Sequence, residues 1–556
     1  MTIFAVDGDG VTMATLLMDL VQPFRYLPLV VLFSLPVALV VVYLSVFPSV
    51  LTDKRRRHLP PGPRGLPILG NWKDLKDADA FNVKAIEWKQ QYGDIFHVNL
   101  GGADHIFLSS PQSVKALMDQ RSSIYSSRPP QPLAGEVASA GRRQLFMPYG
   151  PRYRTVRRIS HDLLNSRIVT GYQPIQDLES KQLLFDLMHT PEEFYLHNRR
   201  YSASVIITAT YGHRIDTFDH PLARKIYAVV NNMQLYMEPG AWLIDSFPPL
   251  RALPQWMLGN WRDFGKKCFD HDHKIYLSLW ENLKQEVKDG KAKDCFCKRF
   301  LESDPERLGL DTLQAAYQAG GLVEAGSETT SAYLNTFVLQ MTLNPEVQDK
   351  AREEIDRVVG ADRLPTFEDE ARLPYLRALI KETLRVRPPN KFGINHYTTE
   401  DDWYEGYFIP KNTIVTLNWW ANNNDDSRWE KPGEFMPKRF LGYEQPAAAY
   451  LNIADPTQRD HWSYGAGRRV CPGIHLAEKS LFLNIARFLW GFNISKKVVN
   501  GQFIEPSTKM MKGWMCIPGP FECDIKVRSE KHADIIRREW EVAKQDIDVE
   551  AANSMI

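Results

Sequence analysis

Between His461 and Lys479 the chain reads HWSYGAGRRVCPGIHLAEK, which sets Cys471 between two arginines and a Pro-Gly pair where a helix is about to begin. A sulfur at a helix N-terminus faces unpaired N–H groups and the positive end of the dipole, both of which favour thiolate. Arg468 and Arg469 add positive charge, and Gly465, Gly467 and Gly473 let the backbone turn tightly or approach something flat and large. Such a thiol can be a structural cysteine, a disulfide partner, a zinc ligand, a nucleophile or a ligand to something larger. The other five cysteines, Cys268, Cys295, Cys297, Cys516 and Cys523, are too sparse for a stapled secreted scaffold. No CxxC pair supplies a structural zinc site, and the motifs that accompany a cysteine nucleophile are absent. His475 reads as a helix-surface residue.

Three other stretches carry residues with chemical potential. ETLR sets Glu382 and Arg385 three apart, on one helical face where they can pair. AGSETT, Ala325 to Thr330, puts an acid and two alcohols inside a long helical pattern. A threonine there can bond back to a carbonyl, opening a local bulge that holds water. YGPRYRTVRR, Tyr149 to Arg158, is strongly basic.

Helical spacing of apolar residues predicts the elements that must position these groups. Helices are expected over about Asp311–Asn344, Pro345–Val359, Leu373–Arg387 and Gly473–Trp490, with strands at Asp94–Leu100 and Asn412–Trp420. No Gly-rich dinucleotide or Walker motif is present, so electrons for any redox chemistry must come from elsewhere. A net charge of +1 gives no reason to expect nucleic acid. From Leu27 to Leu51 the chain carries no charge, long enough to cross a hydrocarbon core of roughly 30 Å. Lys54, Arg55, Arg56 and Arg57 follow it directly, so residues beyond 52 are expected on the cytoplasmic side. On that reading the NIS triplet at Asn493 never meets the lumenal glycosylation machinery. Residues 1–26 form a lumenal segment, 27–51 a membrane anchor, and 52–70 a basic, proline-rich spacer. Residues 71–530 form one cytosolic domain, and 531–556 a charged tail expected as a solvated helix or frayed end.

The Cys471 stretch resembles the F-x-x-G-x-R-x-C-x-G heme signature of the cytochrome P-450 family of heme-thiolate monooxygenases, and in particular fungal microsomal members of secondary metabolism. Gly467, Arg469, Cys471 and Gly473 fall in place, with Tyr464 where the family has phenylalanine. The resemblance covers roughly residues 58–530 and implies a mainly α fold with small β-sheets. It also implies heme b with Cys471 as axial thiolate. By the same resemblance Glu382 and Arg385 form the family's ExxR pair, locked by Arg439, as a structural cluster. Glu328 and Thr329 match its acid–alcohol pair, which relays protons to the oxygen being activated. Arg157 matches the W-x-x-x-R helix, with Tyr153 in place of tryptophan, and His396 falls where another propionate partner lies. Arg469 is expected to serve a propionate as well.

What the resemblance implies functionally is hydroxylation of a small apolar or aromatic substrate by O2, with electrons from a membrane-bound NADPH–cytochrome P-450 reductase. Arg154 and Arg158 are candidates for docking it. Among substrates, a phenol or an aromatic polyketide is the expectation, at the endoplasmic reticulum membrane. Pocket segments implied by analogy are Arg128–Met147, Met233–Ile244, Gln318–Glu324, Pro389–Ile394 and Gly513–Met515, which contain Phe392, Trp514 and Lys391, the last expected to face solvent. A heme-thiolate isomerase or dehydratase and a non-catalytic heme sensor are the rival readings. The Glu328–Thr329 pair argues against the first.

Overall fold

One helix organises the chain, and its sequence shows why. Thr312–Leu343 is apolar on nearly every side, so it has no face to give to solvent and is buried along most of its length. Asp311 caps it, its side chain accepting from the Gln314 amide at 2.7 Å. The computed structural model describes residues 52–553, apart from 67, 68, 76, 77, 239 and 512. In chain order the long helices are α1 (Ala78–Tyr92), α2 (Pro151–Leu164), α3 (Gln173–His189), α4 (Phe194–Tyr211), α5 (Pro221–Met237), α6 (Trp261–Lys288), α7 (Thr312–Leu343), α8 (Pro345–Val358), α9 (Pro374–Val386), α10 (Ile474–Gly491) and α11 (Glu530–Asn553). Each of the four helices expected from spacing is present, within a residue at either end.

The main sheet is small and mixed. Its strands β1 (Ile95–Leu100), β2 (Ala103–Leu108), β3 (His396–Tyr397) and β4 (Ile414–Leu417) lie in the order β1-β2-β4-β3. β1 runs antiparallel to β2, β2 parallel to β4, and β3 antiparallel to β4 with His396 opposite Val415. The end of the expected second strand turns instead into a short helix at Trp419–Asn423, where the Asn418 side chain accepts from the Ala421 amide. The largest apolar cluster joins α3, α4, α7, α9 and α10 through Leu184, Tyr201, Leu339, Leu379, Ile485 and Leu489. α7 and α4 cross closely because residue 326 is glycine: a Cβ there would stand 2.5 Å from Ile206.

Three expectations about the chain's ends meet the structure differently. The anchor at 27–51 lies outside the described residues; among the described residues no helix is long and apolar enough to cross a membrane. The spacer is not free. Arg56 grips Asp104 on β2 with both terminal nitrogens at 2.8 and 2.7 Å, and the Pro61 carbonyl accepts from the His97 amide on β1. The charged tail is a docked helix, since α11 buries Ala533, Ile535, Ile536, Trp540 and Ala543, and its charges occupy the other face. Spacing of those five residues gives one stripe, which the overall charge of the segment conceals. Truncating Ile536 to alanine should therefore lower stability by roughly 2–5 kcal/mol, read as a lower thermal midpoint. Val542→Ala, on the exposed side of the same helix, should change nothing. Equal effects from the two would mean that α11 is not docked.

Candidate functional site

Cys471 sits on the loop that leads into α10. The loop is built by its own backbone: the Cys471 amide donates to the Tyr464 carbonyl at 2.8 Å, and the Val470 amide to the Gly467 carbonyl at 3.2 Å. Gly467 has φ +61°, and a Cβ there would lie 2.1 Å from the Met118 carbonyl oxygen. Only glycine lets the loop press that close to its neighbour, and its amide donates to Asp119 at 2.8 Å. Burial pushes the Cys471 thiol above its ordinary value, against the pull of the Gly473 amide and the Arg157 cation. A coordinated metal ion outweighs such a burial effect and deprotonates the thiol outright.

Around the loop stand four basic groups that meet no carboxylate among the described residues. Arg469 donates to the carbonyls of Ser126, Gln144 and Met147 at 2.8, 3.3 and 2.6 Å, with its guanidinium 3.5 Å from the centre of the Tyr153 ring. Burial brings it down to about 10. Arg128 donates to the carbonyls of Leu145, Ile394 and Asn395, and burial next to Arg469 holds it well below the usual arginine range. Arg157 reaches the Val470 carbonyl. His396 meets the Tyr125 carbonyl through Nδ1 at 2.9 Å, and burial beside Arg128 and Arg469 holds its proton affinity well below normal.

Buried cations paired only with carbonyls are costly, and a bound group carrying two carboxylates would relieve them together. His396 fits the same reading. Donating through Nδ1 makes Nε2 an acceptor in the neutral ring, and a carboxylate beside it would restore the second proton. A half-buried sulfur, a glycine-tight loop and an uncompensated cationic rim fit heme, with Cys471 as the axial ligand and Arg128, Arg157, Arg469 and His396 toward the propionates.

The structure redistributes some roles. Tyr153 turns its hydroxyl to the Arg468 carbonyl at 2.9 Å and its ring to Arg469, so it braces the loop and aims Arg469. The Tyr464 hydroxyl is buried without a hydrogen-bond partner among the described residues. Glu382, Arg385 and Arg439 are brought together as expected. Arg385 holds both carboxylate oxygens at 2.7 and 2.8 Å, Arg439 adds a contact at 3.2 Å, and the Met436 amide one at 2.8 Å. Arg385 also meets the carbonyls at 423, 432 and 434, and Arg439 those at 430, 431 and 434, so the cluster is closed and structural. Lys438, where the family often has glutamate, points to solvent and takes no part.

On α7, Thr329 bonds back to the Ala325 carbonyl at 2.8 Å. Gly321, Ala325 and Thr329, spaced by four, form an accessible strip on a helix buried along most of its length, and a Cβ on Gly321 would meet nothing within 4 Å. This strip faces open space, hereafter the groove. Glu328 is buried, and its Oε2 accepts from Arg199 of α4 at 2.9 Å. Burial raises the proton affinity of Glu328, while Arg199 opposes the rise. Phe392 does not line this groove; it packs against Phe81 and Phe107. Lys391 lies over the Trp420 ring at 5.5 Å. Sequence reasoning missed Arg128 and Arg199 as functional residues. Each is a lone arginine whose partners come from distant segments, so no local pattern marks it.

Fold and site together define a heme-thiolate protein. Residues 60–523 match the family profile described as Cytochrome P450, and the chain belongs to that family. It is 45% identical to Cytochrome P450 monooxygenase verL of Clonostachys rogersoniana, over 92% of this chain and 94% of that one. It is 38% identical to Cytochrome P450 monooxygenase virE of Hypocrea virens, over 88% and 89%, and 35% identical to Cytochrome P450 monooxygenase pgmC of Aspergillus terreus, over 91% and 93%. The chain is thus an enzyme with monooxygenase activity whose cofactor is heme held by a cysteine thiolate.

Two substitutions test the cradle. Arg128→Leu should lower heme affinity about tenfold or more, since it removes a charge-assisted contact, and heme content per protein by Soret absorbance reads the loss. Gly467→Ala should abolish heme retention, because the loop cannot move off Met118. Full occupancy in both variants would contradict the assignment.

Proposed function

We propose that the chain is a membrane-anchored monooxygenase that takes electrons from NADPH–cytochrome P450 reductase and inserts one atom of O2 into a small apolar or aromatic molecule of fungal secondary metabolism. A phenol or an aromatic polyketide is the substrate class we favour. The observation that carries oxygen insertion over isomerisation or dehydration is the Glu328–Thr329 pair on the open strip of α7. Bound heme supplies the activation of dioxygen and the oxidation of a C–H bond.

The chain's own residues manage protons and the environment. Thr329 presents its hydroxyl to the groove while held on the Ala325 carbonyl. Glu328 is almost sealed, whereas the Arg199 side chain bound to it is 28% exposed. Arg199 keeps its own protons, so its part is to hold the Glu328 carboxylate beside solvent, from which Glu328 passes protons toward Thr329, the placement that general-acid catalysis requires. An apolar cluster of Leu133, Ala134, Phe146, Met233 and Ile244, with Trp514 against it, draws on three of the expected pocket segments and suits an apolar or aromatic body.

Two surfaces support the partners. Leu235, Leu243, Leu253, Trp256 and Met257 are exposed, Trp256 at 72%. Leu66 and Leu69, just beyond the expected anchor, are exposed too, and Trp72 lies 6.4 Å from Phe247 between the two stretches. Such an apolar concentration suits a lipid surface. On α2, Arg154 and Arg158 are exposed on the helix that reaches the Cys471 loop, and suit an acidic reductase.

The test is a membrane preparation of the full chain with reductase. The reduced carbon monoxide complex should show the thiolate Soret band, and turnover should consume NADPH and O2. Thr329→Ala should cut product formed per NADPH on the order of a hundredfold while peroxide rises. Unchanged coupling in that variant would remove the relay role, and turnover without NADPH would favour the isomerase reading.

A further inference from the structure

The roof beside α7 holds a buried charged cluster that heme binding does not use. Arg143 is 2% exposed, Asp272 of α6 is fully buried, and Glu324 of α7 is 7% exposed. Arg143 donates through Nε to Glu324 Oε1 at 2.8 Å, and its Nη2 lies 2.6 Å from both that oxygen and Asp272 Oδ2. Its Nη1 meets the Ala138 carbonyl and the Ser139 hydroxyl. Asp272 is complete as well, with Oδ1 held by Asn232 of α5 at 3.0 Å and by His271 at 2.9 Å. The cluster therefore ties α5, α6, α7 and the segment before α2 into one rigid unit.

Glu324 is the exception within it. Its Oε1 is crowded, accepting from Arg143 and from the Tyr276 hydroxyl. Its Oε2 accepts nothing among the described residues, yet it is not among the sealed atoms without a partner. That oxygen therefore reaches open space. The accessible strip of Gly321, Ala325 and Thr329 runs along this part of α7, and Glu324 lies three residues from Gly321, its neighbour on the helix surface. A carboxylate oxygen only accepts hydrogen bonds. Leaving a largely buried carboxylate oxygen without a donor is unfavourable, whereas a ligand that brings a donor gains a charge-assisted bond.

We propose that Glu324 orients the substrate through Oε2, and that the substrate carries a hydroxyl or N–H donor on its apolar body. Arg143 and Tyr276 are positioning residues that hold the other oxygen so that Oε2 faces the groove. This rests on the monooxygenase reading and narrows its substrate class: an ether or fully alkylated analogue of the same shape is disfavoured.

The probes are matched pairs, 1-naphthol against 1-methoxynaphthalene and indole against 1-methylindole, titrated by the Soret shift of the full-length holoenzyme. The first pair tests a hydroxyl donor, the second an N–H donor. Wild type should bind the donor-bearing member of at least one pair about tenfold more tightly. Glu324→Gln makes a stricter test. Arg143 and Tyr276 demand an acceptor, so the amide oxygen must turn inward and the N–H2 outward. The open atom then becomes a donor, and the preference should disappear or reverse toward the methylated member. Tyr276→Phe, which leaves Glu324 charged but less firmly held, should reduce the preference without abolishing it. Heme content and the thiolate Soret band should be unchanged in both variants. Equal or absent response to both members of both pairs in wild type, with that band intact, overturns the proposal alone. So does a preference that survives Glu324→Gln unchanged. Absence of the thiolate band in wild type brings down the monooxygenase reading, and this inference with it.

Discussion

Three guanidinium groups and an imidazole crowd the space beside the Cys471 loop, and the protein offers them carbonyl oxygens where carboxylates would be expected. Dipoles partly stabilise a buried cation but do not neutralise it. This imbalance sets the demands on everything around it. The loop must stay tight, so that the sulfur and the cations face the same bound group, and Gly467 against Met118 makes it tight. The cations must stay aimed, which is the task of Tyr153 under Arg469, and the sheet sets the neutral His396 ring beside them. Charge balance in the finished protein then belongs to the heme and not to the polypeptide.

The Glu382 cluster is the opposite case and explains why both can exist in one domain. Its carboxylate, two guanidiniums and the surrounding carbonyls satisfy one another completely, with nothing left facing a ligand. Such a closed network ties α9 to the segment that follows the sheet, and removing one member would strand a charge at a cost of about 3–5 kcal/mol. Completeness is thus the mark of a structural charge cluster and incompleteness the mark of a binding one. The distinction depends on geometry, since both draw on the same residue types.

That contrast also explains how much could be read before the fold was seen. Helix spans were legible because α7 and α10 carry long apolar patterns, and Cys471, Arg469, Glu382, Arg385 and Thr329 sit in short local patterns. The tail of α11 was misjudged because its charge outweighed a five-residue stripe that only docking makes visible. Phe392 was placed by analogy in the pocket, but the packing of α1 on the sheet claims it. Arg128 and Arg143 fall within a pocket segment implied by analogy and Arg199 outside any, but no local pattern marks the role of any of the three. Their partners lie far away in sequence, and a lone arginine gives no hint of which distant carbonyl or acid it will meet.

Glu324 and Glu328 show how a paired arginine decides the work of a carboxylate. They are the same residue type, one turn apart on one helix, and each is bound to an arginine from another element. Arg199 is partly exposed, so Glu328 is tied to solvent and suited to passing protons. Arg143 is sealed and fully occupied, so Glu324 is fixed in place and has no such route. A carboxylate that cannot exchange with solvent through its partner is a poor relay, but it is a stable acceptor. Position on the helix places both near the groove, and it is the exposure of the paired arginine that divides proton delivery from recognition.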